Sequence, residues 1–326
     1  MSGRKRGVTL LELMVVTAII AIVLGIGTAF FTGLSRTFRL RAAADQVAGV
    51  IRSAASHAGA TGCPARVEFD VANGRLRSIG PKPAGLWHFE GGSGDGAFGR
   101  DATLGGGVAQ APGRIGDGLA FSGNAVVEGP KAGAFALGEG VAVEAWIRPT
   151  SRQDMIVVQV GSGAVLGVSD DLRLLVWFGG VSAQTEPDAV PLHRWSLVRL
   201  DADGKTLAGS IDHVERVRVP AAVRWSGDPT AAVRVSDGRR PFAGSIDEVR
   251  IESVVTLEEY ELGPKLRFET APDSGELRFD GHGRLDESWH EEDVAVVLVS
   301  EARNESKTVR VERRGAIRVL DAKGGG

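Results

Sequence analysis

Hydrophobic and polar positions change rhythm several times along this chain. From Val8 to Phe31 the residues are apolar or small, with Glu12 as the single charge. At ~1.5 Å per helical residue the run extends ~36 Å, enough to cross a hydrocarbon core of ~30 Å with some tilt. From Thr32 to about Ala58 the apolar positions settle into helical spacing. Leu40, Ala43, Ala44, Val47, Val50, Ile51, Ala54 and Ala55 share one face, while Arg39, Arg41, Asp45 and Arg52 can face away. The pattern predicts one long helix over residues 8–58, transmembrane over 8–31. Gly59 and Gly62 end it, with Pro64 just beyond. Gly25, Gly27 and Gly33 weaken its first half, for bending or for close helix packing.

A period of two then takes over. Ala65 to Val71 alternates as a half-buried strand, Asn73-Gly74 forms a hairpin turn, and Arg75 to Ile79 returns. Gly80-Pro81-Lys82-Pro83 breaks the pattern. From Leu86 to about Glu252, glycine-rich loops separate short strands at regular intervals, as in a β-sandwich. The most regular strand is Val141 to Arg148. Val141, Val143, Ala145 and Ile147 point one way; Glu144, Trp146 and Arg148 point the other. After Glu252 the earlier style returns, with strands at Glu276–Phe279, Val294–Val299, Lys307–Glu312 and Ala316–Val319, and a turn at Asn304-Glu305-Ser306.

Composition adds bounds. A chain of 326 residues has room for two domains beyond the helix. A net charge of −3 argues against nucleic acid as a main partner. The 45 Gly and 13 Pro agree with mostly β structure after residue 60. Cys63 is the only cysteine, so no internal disulfide forms, and its reading is a buried small apolar residue.

A short leader, Met1 to Gly7, carries Arg4, Lys5 and Arg6 ahead of Val8-Thr9-Leu10-Leu11-Glu12-Leu13. Its basic residues should stay cytoplasmic, sending the rest across the membrane. A carboxylate in an apolar span is costly and needs a partner. This segment resembles the class III signal of type IV prepilins and type II secretion pseudopilins, although Val8 stands where Phe is commonest. The resemblance implies that prepilin peptidase cuts after Gly7 and that the new amino terminus at Val8 is methylated. It makes Glu12 the fifth mature residue, the family's assembly glutamate, neutralised by the terminal ammonium of a neighbouring subunit.

Two further resemblances follow. Leu86–Glu90, Gly118–Gly123, Val141–Pro149, Trp195–Leu200 and Phe242–Ile251 look, in that order, like strands of laminin G-like, concanavalin A-like jelly rolls. Residues 62–83 and 253–321 look like the split β domain of H-type minor pseudopilins, with 84–252 inserted as the sandwich and 322–326 as a flexible tail. The fold class expected is α+β pilin-like, a long helix plus a small antiparallel sheet, with an inserted all-β jelly roll. The resemblance implies a minor pseudopilin at or near the tip of a type II secretion pseudopilus. It would be a single-pass inner-membrane protein with most of its chain in the periplasm. Its implied partners are other pseudopilins through the helix and prepilin peptidase, with secreted proteins or glycans met by the sandwich. A type IV pilus minor pilin with an adhesin domain is the alternative.

Candidate chemistry in the sandwich is sparse. Jelly-roll glucanases place two carboxylates on alternate residues of one strand. Here Asp247 and Glu248 are adjacent, and alternation puts Glu252 on the face of Glu248, so no dyad forms and no enzyme is expected. Asp95 and Asp101, with Asp170 and Asp171, are candidates for Ca²⁺, which needs several oxygens converging. Trp146 on the polar face could stack on a sugar, or lie under a loop. His282 and His290 lie among acidic residues without a known ligand spacing.

Overall fold

The computed structural model describes residues 10–301 and 305–321; for 11, 12 and 23–38 it describes the backbone. Gly7 and Val8 lie outside the described residues, as does the Glu12 side chain. One helix runs from Leu10 to Thr61. Gly62 then takes φ +70° and donates its N–H to Ala58 O at 2.9 Å, a left-handed cap that favours glycine. Gly59, expected as a terminator, falls inside the helix. Every side chain from 13 to 22 is exposed, Leu13 at 59% and Ile22 at 62%. Among the described residues no helix is long and apolar enough to cross a membrane.

The chain divides into two compact units. The first holds the helix to Ser56, residues 66–78 and the chain from Glu258 onward. Leu40, Ala43, Ala44, Val47, Val50, Ile51, Ala54 and Ala55 are buried, so the helical period marks a real core face. Four antiparallel strands form a sheet in the order Leu266–Thr270, Val294–Ser300, Glu305–Val311, Ile317–Asp321. Glu305 and Ser306, expected in a turn, begin the third of them. Phe69 meets Phe268 edge to face with ring centroids 5.7 Å apart.

The second unit comprises residues 57–65 and 79–257. It stacks two antiparallel sheets. One has the order Val214–Pro220, Thr206–Ile211, Ser196–Ala202, Gly140–Pro149, Gly244–Glu261. The other runs from Val181–Gln184 through Leu174–Phe178, Ala164–Val168, Met155–Val160, Ala232–Val235 and Val127–Lys131 to Thr103–Leu104. Inward residues such as Val143, Ala145, Ile147, Val158, Leu166, Val176, Leu200 and Ile246 are fully buried between them. Strand alternation produces this core, since every second side chain enters it.

Three expectations change. The strand from Arg75 does not stop at Gly80 but continues to Trp87. Pro81 and Pro83 are two residues apart, so both missing N–H groups lie on one side of the strand and the other side keeps its donors. Of the expected first strand Leu86–Glu90, Leu86 and Trp87 are the end of this longer strand, and the chain turns at Phe89, φ 59°. The closing strand is longer than 242–251, reaching Glu261. It also bulges: Asp247 pairs with Trp146, but Arg250 pairs with Glu144. Glu248 takes φ +51° there, an uncommon conformation for a non-glycine residue. The bulge resets alternation. Glu252, opposite Ala142, shares the face of Asp247 and not that of Glu248.

That outer face carries an ion cluster. Arg199 Nη2 lies 2.8 Å from Glu252 Oε2, 2.7 Å from Asp201 Oδ1, and its Nη1 is 3.4 Å from Glu144. Arg199 is 8% exposed and Glu252 1%. Burial works against the guanidinium charge, but Asp201 and Glu252 more than offset it and hold its pKa well above the usual value. The Cys63 thiol packs 3.6 Å from Glu252 Oε2, and its desolvation pushes its pKa up to about 12. Cys63 is buried as expected. Removing one partner of a buried pair leaves the other charge stranded, at ~3–5 kcal/mol. Arg199→Ala should therefore cost the second unit roughly that much in urea unfolding, while Arg199→Met with Glu252→Leu should recover most of it.

Candidate functional site

The same sheet face is covered at one end and open at the other. Trp146 and Arg148 extend along the Gly140–Pro149 strand toward a recess of about 640 Å³. Arg194 and Trp195 enter from the segment just before the Ser196–Ala202 strand. The turn Asp212-His213 closes a third side. His193, Asp212 and His213 all hold positive φ, 58°, 50° and 65°. His193 N–H donates to Pro149 O at 2.8 Å, and Asp212 N–H to Leu197 O at 2.8 Å.

The fourth wall is Arg114. Its backbone N–H and that of Ile115 donate to Asp247 Oδ2 at 2.8 and 3.0 Å. Asp247 Oδ1 accepts Glu248 N–H at 2.8 Å. Desolvation nevertheless raises the Asp247 pKa, against the lowering effect of these donors. A Cβ on Gly113 would sit 2.6 Å from Asp247 Oδ2, so the turn needs glycine there. This anchor sets the Arg114 guanidinium over the Trp146 ring, 4.8 Å from its centroid. Trp146 thus stands at the recess, but one ring face is taken by a cation from a loop. Trp195, not singled out from sequence as a ligand contact, is the second indole, half-buried. A second opening of about 400 Å³ lies on the other sheet, lined by Gln159, Trp177, Ser182 and Arg240.

The other candidates fall elsewhere. Asp95 and Asp101 are exposed; Asp101 Oδ1 accepts Gly96 N–H at 3.0 Å, a loop-closing bond. Asp171 is engaged by Ser169 Oγ and Arg173 Nε, both at 2.6 Å, and its pKa is lowered first by the serine and then by the arginine. Asp170 bonds through its N–H to Asp154. Among the described residues no group of three or more His, Cys, Asp or Glu could hold a metal ion. In the first unit, His290 Nε2 accepts the backbone N–H of Arg278 at 3.0 Å, which ties up the lone pair a metal would use.

Residues 121–259 match the concanavalin A-like lectin/glucanases superfamily, and residues 2–28 match the prokaryotic N-terminal methylation motif. No curated protein sequence matches the chain. Among solved structures it is similar to domain 4 of AbnA, a GH43 extracellular arabinanase from Geobacillus stearothermophilus in complex with arabinotriose. That match has 17% identity and a TM-score of 0.45, covering 54% of this chain and 95% of that one. The binding domain of Paraclostridial mosquitocidal protein 1 gives 12% identity and 0.41, covering 50% and 46%. A Trypanosoma rangeli sialidase gives 15% and 0.40, covering 51% and 30%. The chain thus spans less than half of the last two. It is a prepilin-like protein with a lectin/glucanase-like domain. More particularly, an N-terminal prepilin methylation motif is joined in one chain to a concanavalin A-like domain of the laminin G type.

His290 supplies a pH test for the first unit. Burial lowers its pKa below the ordinary value of 6.5. The unfolded chain therefore binds a proton first as pH falls, so stability is present above about pH 6.5 and is lost as pH drops toward the depressed value. Thermal melts between pH 7 and pH 5 should show a steeper decline for the wild type than for His290→Gln, whose amide oxygen can still accept the Arg278 N–H.

Proposed function

We propose that the protein is a minor, pseudopilin-like subunit of a type II secretion pseudopilus, at or near its tip, working in protein export by assembly and not by catalysis. The observation that carries this reading is the methylation motif running directly into a helix whose described apolar side chains, 13–22, are all exposed. An all-round apolar helix surface needs a nonaqueous partner. A membrane supplies it before assembly, and the helices of neighbouring subunits supply it afterwards.

The chemistry of insertion rests on Glu12 and the amino group of Val8. Cleavage after Gly7 by prepilin peptidase creates a cation that can neutralise the carboxylate of an adjacent subunit in a low-dielectric core. Such a pair forms only at one axial offset, so it selects register. The inserted unit, residues 79–257 together with 57–65, adds a second folded body to the pilin unit. Repeating that bulk at every position would crowd a tightly packed shaft, which supports a rare, terminal position.

The recess beside Trp146 favours a second reading, a type IV pilus minor pilin whose sandwich meets an external ligand. Surface labelling of intact cells separates the two, because a pseudopilus subunit stays beneath the outer membrane. Assembly itself is tested by Glu12→Val. The variant should still enter the membrane but fall at least tenfold in sheared or pelleted filament fractions. Undiminished incorporation of that variant, or recovery of the wild type as a major shaft component, would contradict the proposal.

A further inference from the structure

The geometry points to an acidic saccharide, a sugar ring bearing a carboxylate, as the ligand of the recess formed by Arg114, Trp146, Arg148, Arg194, Trp195 and Asp212. The inference concerns this recess alone and holds whichever filament carries it.

Three guanidinium groups converge on one opening against a single carboxylate, Asp212, whose Oδ1 already accepts Leu197 N–H at 2.9 Å. Elsewhere in the same unit several arginines are matched to carboxylates: Arg152 with Asp188, Arg173 with Asp171, Arg199 with Glu252, Arg218 with Glu215. In the recess they are not. Arg148 uses Nε on the carbonyl of His193 at 3.2 Å, leaving its terminal nitrogens to the opening. Arg114 lies over an indole. Arg194 is exposed and makes no hydrogen bond or ion pair among the described residues. Gathered like charges repel, and an anion relieves that repulsion. A carboxylate fits the planar fork of arginine in a bidentate manner.

The cations are grouped around one pocket and not strung along a stripe, so they suit a compact anion better than an extended phosphodiester chain. Trp195, half-buried at the recess, offers apolar surface on which the C–H face of a pyranose can rest. Trp146 is backed by Arg114, so it serves as a wall and as the support that aims the guanidinium. Positive φ at His193, Asp212 and His213 is uncommon for residues with side chains, and such conformations gather where a surface is held ready for a ligand. A neutral sugar would need the indoles but not three cations without carboxylate partners.

The test uses the full chain in detergent micelles and isothermal titration with three acidic probes: oligogalacturonate, an alginate oligosaccharide and sialyllactose. Methyl-esterified oligogalacturonate serves as the neutral counterpart, and an oligothymidylate as the non-saccharide polyanion. At least one acidic sugar should bind, at least tenfold more tightly than its neutral form, and more weakly at high salt. Arg194→Gln and Arg148→Gln should each lower that affinity about tenfold, as loss of a charge-assisted bond does. Trp195→Ala should lower it further, and Arg240→Gln, in the opening on the other sheet, should leave it unchanged. Melting curves establish that each variant is folded. The inference is overturned if none of the three acidic sugars binds, if the ester binds as well as the acid, if the oligothymidylate binds more tightly than the sugars, or if folded Arg194→Gln and Arg148→Gln bind like the wild type.

Discussion

A guanidinium sealed among carboxylates on the outer face of a β-sheet is the constraint around which the inserted unit is arranged. Period-two alternation fills the inner face with valine, leucine and isoleucine, and it must send something else outward. At one end of the sheet that outward row is Glu144, Arg199, Asp201 and Glu252, with the Cys63 thiol packed against it. A buried carboxylate is costly unless it is paired, and here Glu252 is paired with Arg199 at 2.8 Å. A few residues further along the same strands, Trp146 and Arg148 occupy the same outward positions but are left open to a recess. One strand pattern thus makes a closed, ion-paired end and an open, cationic end.

Asp247 links these two regimes. It lies on the outward face, buried, and spends its carboxylate oxygens on the backbone of the 114–115 turn and of Glu248. The bulge at Glu248 makes this geometry reachable, because it re-aims the strand between Asp247 and Arg250. The Asp247 carboxylate therefore positions Arg114 over Trp146. Glu252, the other acid on this face, is held by Arg199.

Much of the fold was legible in local pattern. The helical spacing of Leu40 to Ala55 marked a true buried face, and Val141 to Ile147 alternated as the structure does. Asn73-Gly74 turned where its chemistry requires, with Gly74 at φ +63°. The prolines at 81 and 83 misled, because a proline breaks a strand only where its N–H is wanted. The face of Glu252 was misread because a bulge is a tertiary accommodation without a local signature. For the site, Trp146 could be flagged by being aromatic on a polar face. Its cover by Arg114, the company of Trp195 and Arg194, and the contact of Cys63 with Glu252 join positions distant in sequence, and no single-chain periodicity encodes them. Asp95 and Asp101 were legible only as loop acids, and Asp101 accepts the Gly96 N–H.

The account stands or falls on the amino terminus, where a basic leader, Gly7 and Glu12 are spaced as in a prepilin. Mass spectrometry of the mature chain, from cells with and without prepilin peptidase, tests it most directly. The account predicts a chain beginning at methylated Val8, present only when the peptidase is present. An intact Met1 in both strains, or a cut beyond residue 25, would contradict it and leave Glu12 without its neighbour's ammonium.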